Sequence, residues 1–89
     1  MSTFTFHCDP GHGWLEVTLA DLLRVGLSIK QISRYSYYCG KRKACYLEED
    51  CDAPKFIAAY RHVNGREPAI REVHSNAQSF IRNLPRLNG

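Results

Sequence analysis

The stretch RYSYYCGKRKACYLEED, Arg34–Asp50, decides the fold. It crowds four tyrosines, two cysteines, four cations and three acids around one turn-forming centre, Gly40-Lys41-Arg42-Lys43. Two runs rich in aromatic and small apolar residues flank a glycine-bearing polar loop, the mark of a β-hairpin. With Lys41-Arg42-Lys43 as the loop, Cys39 faces Cys45, Tyr38 faces Tyr46, Tyr37 faces Leu47, Ser36 faces Glu48 and Arg34 faces Asp50. That register pairs aromatic with aromatic and opposite charges with each other, which favours it. It predicts Tyr35, Tyr37, Cys39, Cys45 and Leu47 on a buried side, and Tyr38 with Tyr46 together on the outer side. A slip by one residue would turn Glu48 onto the apolar side, so the register should be well specified.

On the N-terminal side, TFTFHC (3–8) alternates with period two and predicts a strand. DPGHG (9–13) is a turn, and WLEV (14–17) is the return strand. Thr18 is placed to cap a short helix carrying Leu19, Leu22 and Leu23, with Asp21 completing a capping box and Gly26 stopping the last turn. On the C-terminal side, Asp52 is the expected N-cap of a helix running to about Val63, with Pro54 in its first turn. Phe56, Ile57, Tyr60 and Val63 form its core stripe. AIREVH (69–74) reads as a last strand. The tail, 75–89, has only Phe80, Ile81, Leu84 and Leu87 to anchor it, and its structure is left open.

The order β-β-α-β-β-α-β predicts an α+β fold. A small antiparallel-rich sheet would carry two helices packed on one face, since each amphipathic helix needs an apolar surface to cover. With 89 residues, the expectation is a single domain over 1–89. A chain of this size buries roughly 60–65% of its unfolded surface, so deep-walled catalytic clefts are disfavoured.

Net charge is +3, unevenly spread. Residues 53–89 hold six cations against two acids, with Arg66, Arg71, Arg82 and Arg86 as a secondary basic surface beside His74. The opening residues lack a basic start followed by an apolar run, and no stretch is long and apolar enough for a membrane span. A cytoplasmic location without membrane contact is the expectation. The cysteines Cys8, Cys39, Cys45 and Cys51 should then be thiols. Cys39 opposite Cys45 would allow an incidental bridge under oxidising conditions.

Several chemistries fail on spacing. Cys39-x5-Cys45-x5-Cys51 lacks the close ligand pairs of zinc knuckles, so no metal and no cofactor are assigned, although Cys8 and His12 flank one turn and could join a site. His7-Cys8-Asp9 brings a thiol near imidazole and carboxylate, but neighbours along a strand point to opposite faces. Phosphate-cradling glycine loops are absent from the sequence. Glu48, Glu49 and Asp50 read as a solvated acidic edge. No catalytic residue is assigned, and an enzyme is not expected.

What remains is the outer face of the hairpin: Tyr38 and Tyr46 rimmed by Arg34, Lys41, Arg42 and Lys43. Such a surface suits a protein partner, for which tyrosine and arginine supply most of the energy. It also suits nucleic acid, by base stacking and phosphate contact. The plain alternative is that the tyrosines fill the sheet and the cationic loop keeps an edge soluble. The acidic run Glu48–Asp50 would repel nucleic acid, which ranks an unknown protein partner first. Oligomeric state is not readable from these residues.

PGHGWLEV (10–17), SRYSYY (33–38) and YLEEDCDAPKFI (46–57) resemble a group of small uncharacterised proteins of bacterial phages and plasmids, which share a GWLxV strand and an SxYSY…YLEEDCD hairpin. The likeness covers most of residues 6–60. It implies a setting, an accessory gene of a mobile element in a bacterial cytoplasm; by analogy with small proteins of that setting, the expectation is action by binding, including as an inhibitor of a host defence or regulatory protein. It implies no catalytic residue.

Overall fold

The alternation of Phe4, Phe6 and Cys8 makes strand β1 (Thr3–Cys8), and the DPGHG turn returns the chain as β2 (Gly13–Thr18). A computed structural model describes residues 3–88 of the chain; Met1, Ser2 and Gly89 lie outside them. In the turn, the Asp9 carboxylate accepts hydrogen bonds from the backbone N–H groups of Gly11 and His12, both at 2.9 Å. Helix α1 (Leu19–Arg24) starts on the expected capping box: Asp21 N–H donates to the Thr18 hydroxyl at 3.0 Å, and Thr18 N–H donates to the Asp21 carboxylate at 2.8 Å. It ends in a Schellman motif. Gly26, at φ 81°, donates to Leu23 O while Leu27 N–H reaches Leu22 O.

The second hairpin joins β3 (Tyr37–Cys39) to β4 (Ala44–Glu48), and its register corrects the sequence reading. Tyr37 faces Tyr46, Tyr38 faces Cys45, and Cys39 faces Ala44. The strands are slipped by one residue from the expected pairing. The loop has four residues, Gly40–Lys43, with Lys43 in the left-handed region at φ 51° and its N–H donating to Gly40 O at 3.3 Å. The penalty expected for a slip does not apply here. Strand β4 lies between β3 and β2, and all five of its residues are buried, so neither of its faces meets solvent. Alternation of polar and apolar residues therefore could not choose between the two registers.

Helix α2 (Ala53–Asn64) carries Phe56 and Tyr60 against Phe4, with ring centroids 5.2 and 5.7 Å from the Phe4 ring. Gly65, at φ 71°, closes it. Strand β5 (Ala69–His74) follows, and the sheet order is β3-β4-β2-β1-β5. Among the described residues, only the β1–β5 pair is parallel. The fold is α+β, as expected, with both helices on one face. That face joins Phe4, Leu15, Val17, Cys45 and Leu47 to Leu22 of α1, Val25 at its C-cap and Phe56 of α2.

The other face is covered by the tail. After β5 the chain crosses back over the sheet, makes a 3-10 turn at Phe80–Asn83, and packs Ile81 and Leu84 on Trp14, Ala44 and Tyr46. Its end then lies along the free edge of β3. Tyr38 N–H donates to Pro85 O and Leu87 N–H donates to Ser36 O, both at 2.9 Å. Residues 75–88 thus form a strap from one edge of the sheet to the other. Among the described residues, no helix is long and apolar enough to cross a membrane.

Candidate functional site

The hairpin face expected to bind a partner does not exist as a surface. Tyr46 is fully buried under the strap, and Tyr38 points to the helix face, packed against the main core. The register slip and the strap together cause this: the first turns Tyr38 away, and the second covers Tyr46. Lys41, Arg42 and Lys43 are exposed in the loop, but Arg42 leans over the Phe80 ring, 5.7 Å from its centroid. Arg34 is exposed and lies over Tyr35. The four arginines of the basic tail do not form one surface either. Arg66 borders the cleft between the helices, Arg71 on β5 reaches the Thr5 hydroxyl, and Arg82 and Arg86 belong to the strap.

Strap and sheet instead enclose an open groove of about 440 Å³, lined by His12, Trp14, Tyr35, Tyr37, Glu48, Asp50, Cys51, Arg82 and Arg86. Its floor is Trp14 of β2, which is 1% exposed. The Arg82 guanidinium covers the indole at 5.2 Å, and the Tyr37 ring meets it edge-on at 6.2 Å. Arg86 lies over Tyr37 at 4.6 Å. Cation–π contacts of this kind hold long arginine side chains in place.

Arg82 is fixed from the other side as well. Its Nε and Nη2 donate to Asp9 at 2.6 and 2.9 Å, and Ser79 N–H donates to the same carboxylate at 2.9 Å. These bonds, the Arg82 guanidinium foremost, hold the Asp9 carboxyl far below the usual carboxylate range. Arg82 approaches Gly11 so closely that a Cβ there would sit 2.8 Å from Nη2.

The opposite wall is acidic. Glu48 is buried rather than solvated, and one of its carboxylate oxygens accepts from the N–H groups of Asp50 and Cys51 at 2.9 Å. His12 Nδ1 lies 3.6 Å from both Glu48 and Glu49. The Cys51 thiol is pushed up by desolvation, then by its hydrogen bond to Glu48 and the charges of Glu48, Asp52 and Asp50. Cys45 is pushed up to about 11 by burial. Raised thiols are protonated at neutral pH and poor nucleophiles.

Asp52 does more than start a helix. Its carboxylate makes no capping bond to α2; it is buried and accepts from Ser33 N–H, from the Ser33 hydroxyl at 2.6 Å and from the Ser36 hydroxyl at 2.5 Å. The Ser36 hydroxyl in turn accepts from Glu48 N–H at 3.0 Å. This relay ties the approach to β3, the end of β4 and the start of α2 together, and so sets Tyr35 and Tyr37 at the groove.

Sequence reasoning missed the groove because its walls come from residues far apart in the chain. Asp9 heading a Pro-Gly turn signals local backbone capping, but nothing in the sequence points it to Arg82. His7 and Cys8 do face opposite ways: His7 bonds Glu16 at 2.8 Å, while Cys8 lies with Glu72 and His74. Comparison with family models, curated proteins and solved structures returns no match.

Proposed function

We propose that this chain is a small non-enzymatic binding domain that captures a protein segment in the groove beneath its strap. The observation that carries the reading is what the groove presents above the buried Trp14: the Tyr35 and Tyr37 rings and Arg86, side-chain types that dominate protein interfaces. The raised Cys45 and Cys51 thiols support binding over thiol catalysis.

The charge balance selects the partner. Arg82 is neutralised by Asp9, which leaves Arg86 against Glu48 and Asp50 among the described lining residues. A segment that brings a lysine or arginine to the acidic wall and an apolar side chain to Tyr35 and Tyr37 fits this arrangement. Nucleic acid fits it less well, because its phosphates would meet Glu48 and Asp50. Under this reading the protein acts in the bacterial cytoplasm, as the likeness to phage and plasmid proteins implies, and blocks a host defence or regulatory protein by occupying one of its basic segments.

Selection of a random peptide display library on the immobilised protein tests this. Peptides carrying a cation beside an apolar residue are expected, with binding lost in Tyr35→Ala/Arg86→Ala while circular dichroism is unchanged. No enrichment, or enriched peptides that bind the double variant equally well, would sink the reading. Tighter binding of single-stranded DNA than of any peptide, weakening steeply with salt, would replace it with the nucleic-acid alternative.

A further inference from the structure

A second cluster lies on the helix face of the sheet, at the far end of β1 and β5. The parallel register sets Cys8 directly opposite His74, and Glu72, two residues before His74, shares their face. The Cys8 sulfur, a Glu72 carboxylate oxygen and a His74 ring nitrogen all lie within 4.8 Å of one another. His74 Nε2 and Glu72 Oε1 are 3.0 Å apart. Cys8 is half-buried while Glu72 and His74 are exposed, so an ion has a path in from solvent.

We propose that Cys8, Glu72 and His74 form a zinc site that staples the edge strand β5 to β1. The donor set is the argument. Thiolate and imidazole select zinc over magnesium or calcium, and a carboxylate completes three protein ligands with a fourth position for water. Tetrahedral zinc, with bonds of about 2.0–2.3 Å, places neighbouring donors roughly 3.3–3.8 Å apart, so rotation of exposed side chains closes these three on one ion. A divalent ion bound here would meet two anionic donors, the Cys8 thiolate and the Glu72 carboxylate, beside the His74 imidazole. On binding, the ion replaces the thiol proton, which leaves to solvent, and no electron is transferred.

The location gives the site its effect. Strand β5 has a sheet neighbour on one side only, and all six of its residues are exposed. A bond from β1 to its last residues holds this edge where apolar burial does little. Separate motion of β5 would also free the strap that begins directly after His74.

Titration of the reduced protein with Co²⁺ under argon tests the assignment, since cobalt replaces zinc and reports a thiolate ligand by its near-ultraviolet charge-transfer band. The band should appear, saturate at one equivalent and vanish on addition of Zn²⁺. Cys8→Ser should abolish it, Cys51→Ser should leave it intact, and His74→Ala and Glu72→Gln should weaken binding roughly tenfold or more. Zinc should raise the melting temperature of the wild type and not of Cys8→Ser. The two exposed-site variants keep the test valid should Cys8→Ser fold poorly. No band in the wild type, a band that survives Cys8→Ser, or affinity unchanged in both His74→Ala and Glu72→Gln overturns the proposal. A divalent ion at His12, Glu48 and Glu49 would give no thiolate band and is thereby distinguished.

Discussion

Asp9 and Arg82 lie 73 positions apart, yet a bidentate pair at 2.6 and 2.9 Å joins them. That contact fastens the strap to the first turn of the chain. It sets the guanidinium over Trp14, which lines the groove between strap and sheet.

Breaking the clamp should release the strap before the sheet. In Asp9→Asn the fork of Arg82 loses its charged partner, and we expect the melting temperature to fall by roughly 5–10 °C. Hydrogen exchange should rise first at the Tyr38 and Leu87 amides, which bond strap to β3 edge. Uniform acceleration across β1 to β5 would contradict a strap that opens on its own.

Tyr46 should tolerate the loss of its hydroxyl. Among the described residues the buried hydroxyl has no partner at hydrogen-bond geometry; burial, then Glu16, push the phenol up, and the nearby Arg42 guanidinium pulls the other way. A buried hydroxyl without a partner costs about 1–3 kcal/mol. Tyr46→Phe should therefore raise unfolding free energy in urea by about 1 kcal/mol. A clear loss of stability would mean that the hydroxyl has a partner in solution.

Asp52 predicts an acid-sensitive fold. Burial raises its carboxyl, but the bonds from Ser33, Ser36 and Lys55 outweigh burial and leave it below its ordinary value. The folded state then binds fewer protons than the unfolded state, and stability rises with pH through that interval. The contribution is complete above pH about 4 and is lost as pH falls through the lowered folded value. Urea unfolding between neutral pH and pH 3 should show this slope. Asp52→Asn should lower stability by about 1.5–3 kcal/mol at neutral pH and flatten the slope.

Cys39 and Cys45 should not bridge within one molecule. Cys39 shares its face with Ala44 and Tyr46, while Cys45 packs with Leu47 on the helix side. Peptide mapping after mild oxidation should find no Cys39–Cys45 link in folded protein. Finding that link in quantity would restore the register in which the two cysteines face each other.

Much of the fold is legible in short segments. The capping box of Thr18 and Asp21, the stop at Gly26 and the alternation of β1 follow from near neighbours; the α2 stripe holds at Phe56, Ile57 and Tyr60, while Val63 at its end is exposed. The hairpin at 34–50 was legible as a hairpin but not in its register. Alternation selects a register only where one face of a strand is wet, and all five residues of β4 are buried. The groove was not legible: Trp14, Tyr37, Glu48 and Arg82 look like filler, sheet, surface and tail until the strap is laid across them.

By itself, the sequence determined the elements, their order and the α+β class, because turns, caps and periodicity act over a few residues and need no distant partner. Only the tertiary structure decided which face each tyrosine took and where the groove beneath the strap lies. Those outcomes depend on what covers the second face of the sheet. The cover is a tail anchored by Phe80, Ile81 and Leu84 and held by a carboxylate near the opposite end of the chain. No local pattern encodes such a contact, since its energy is realised only once the sheet exists.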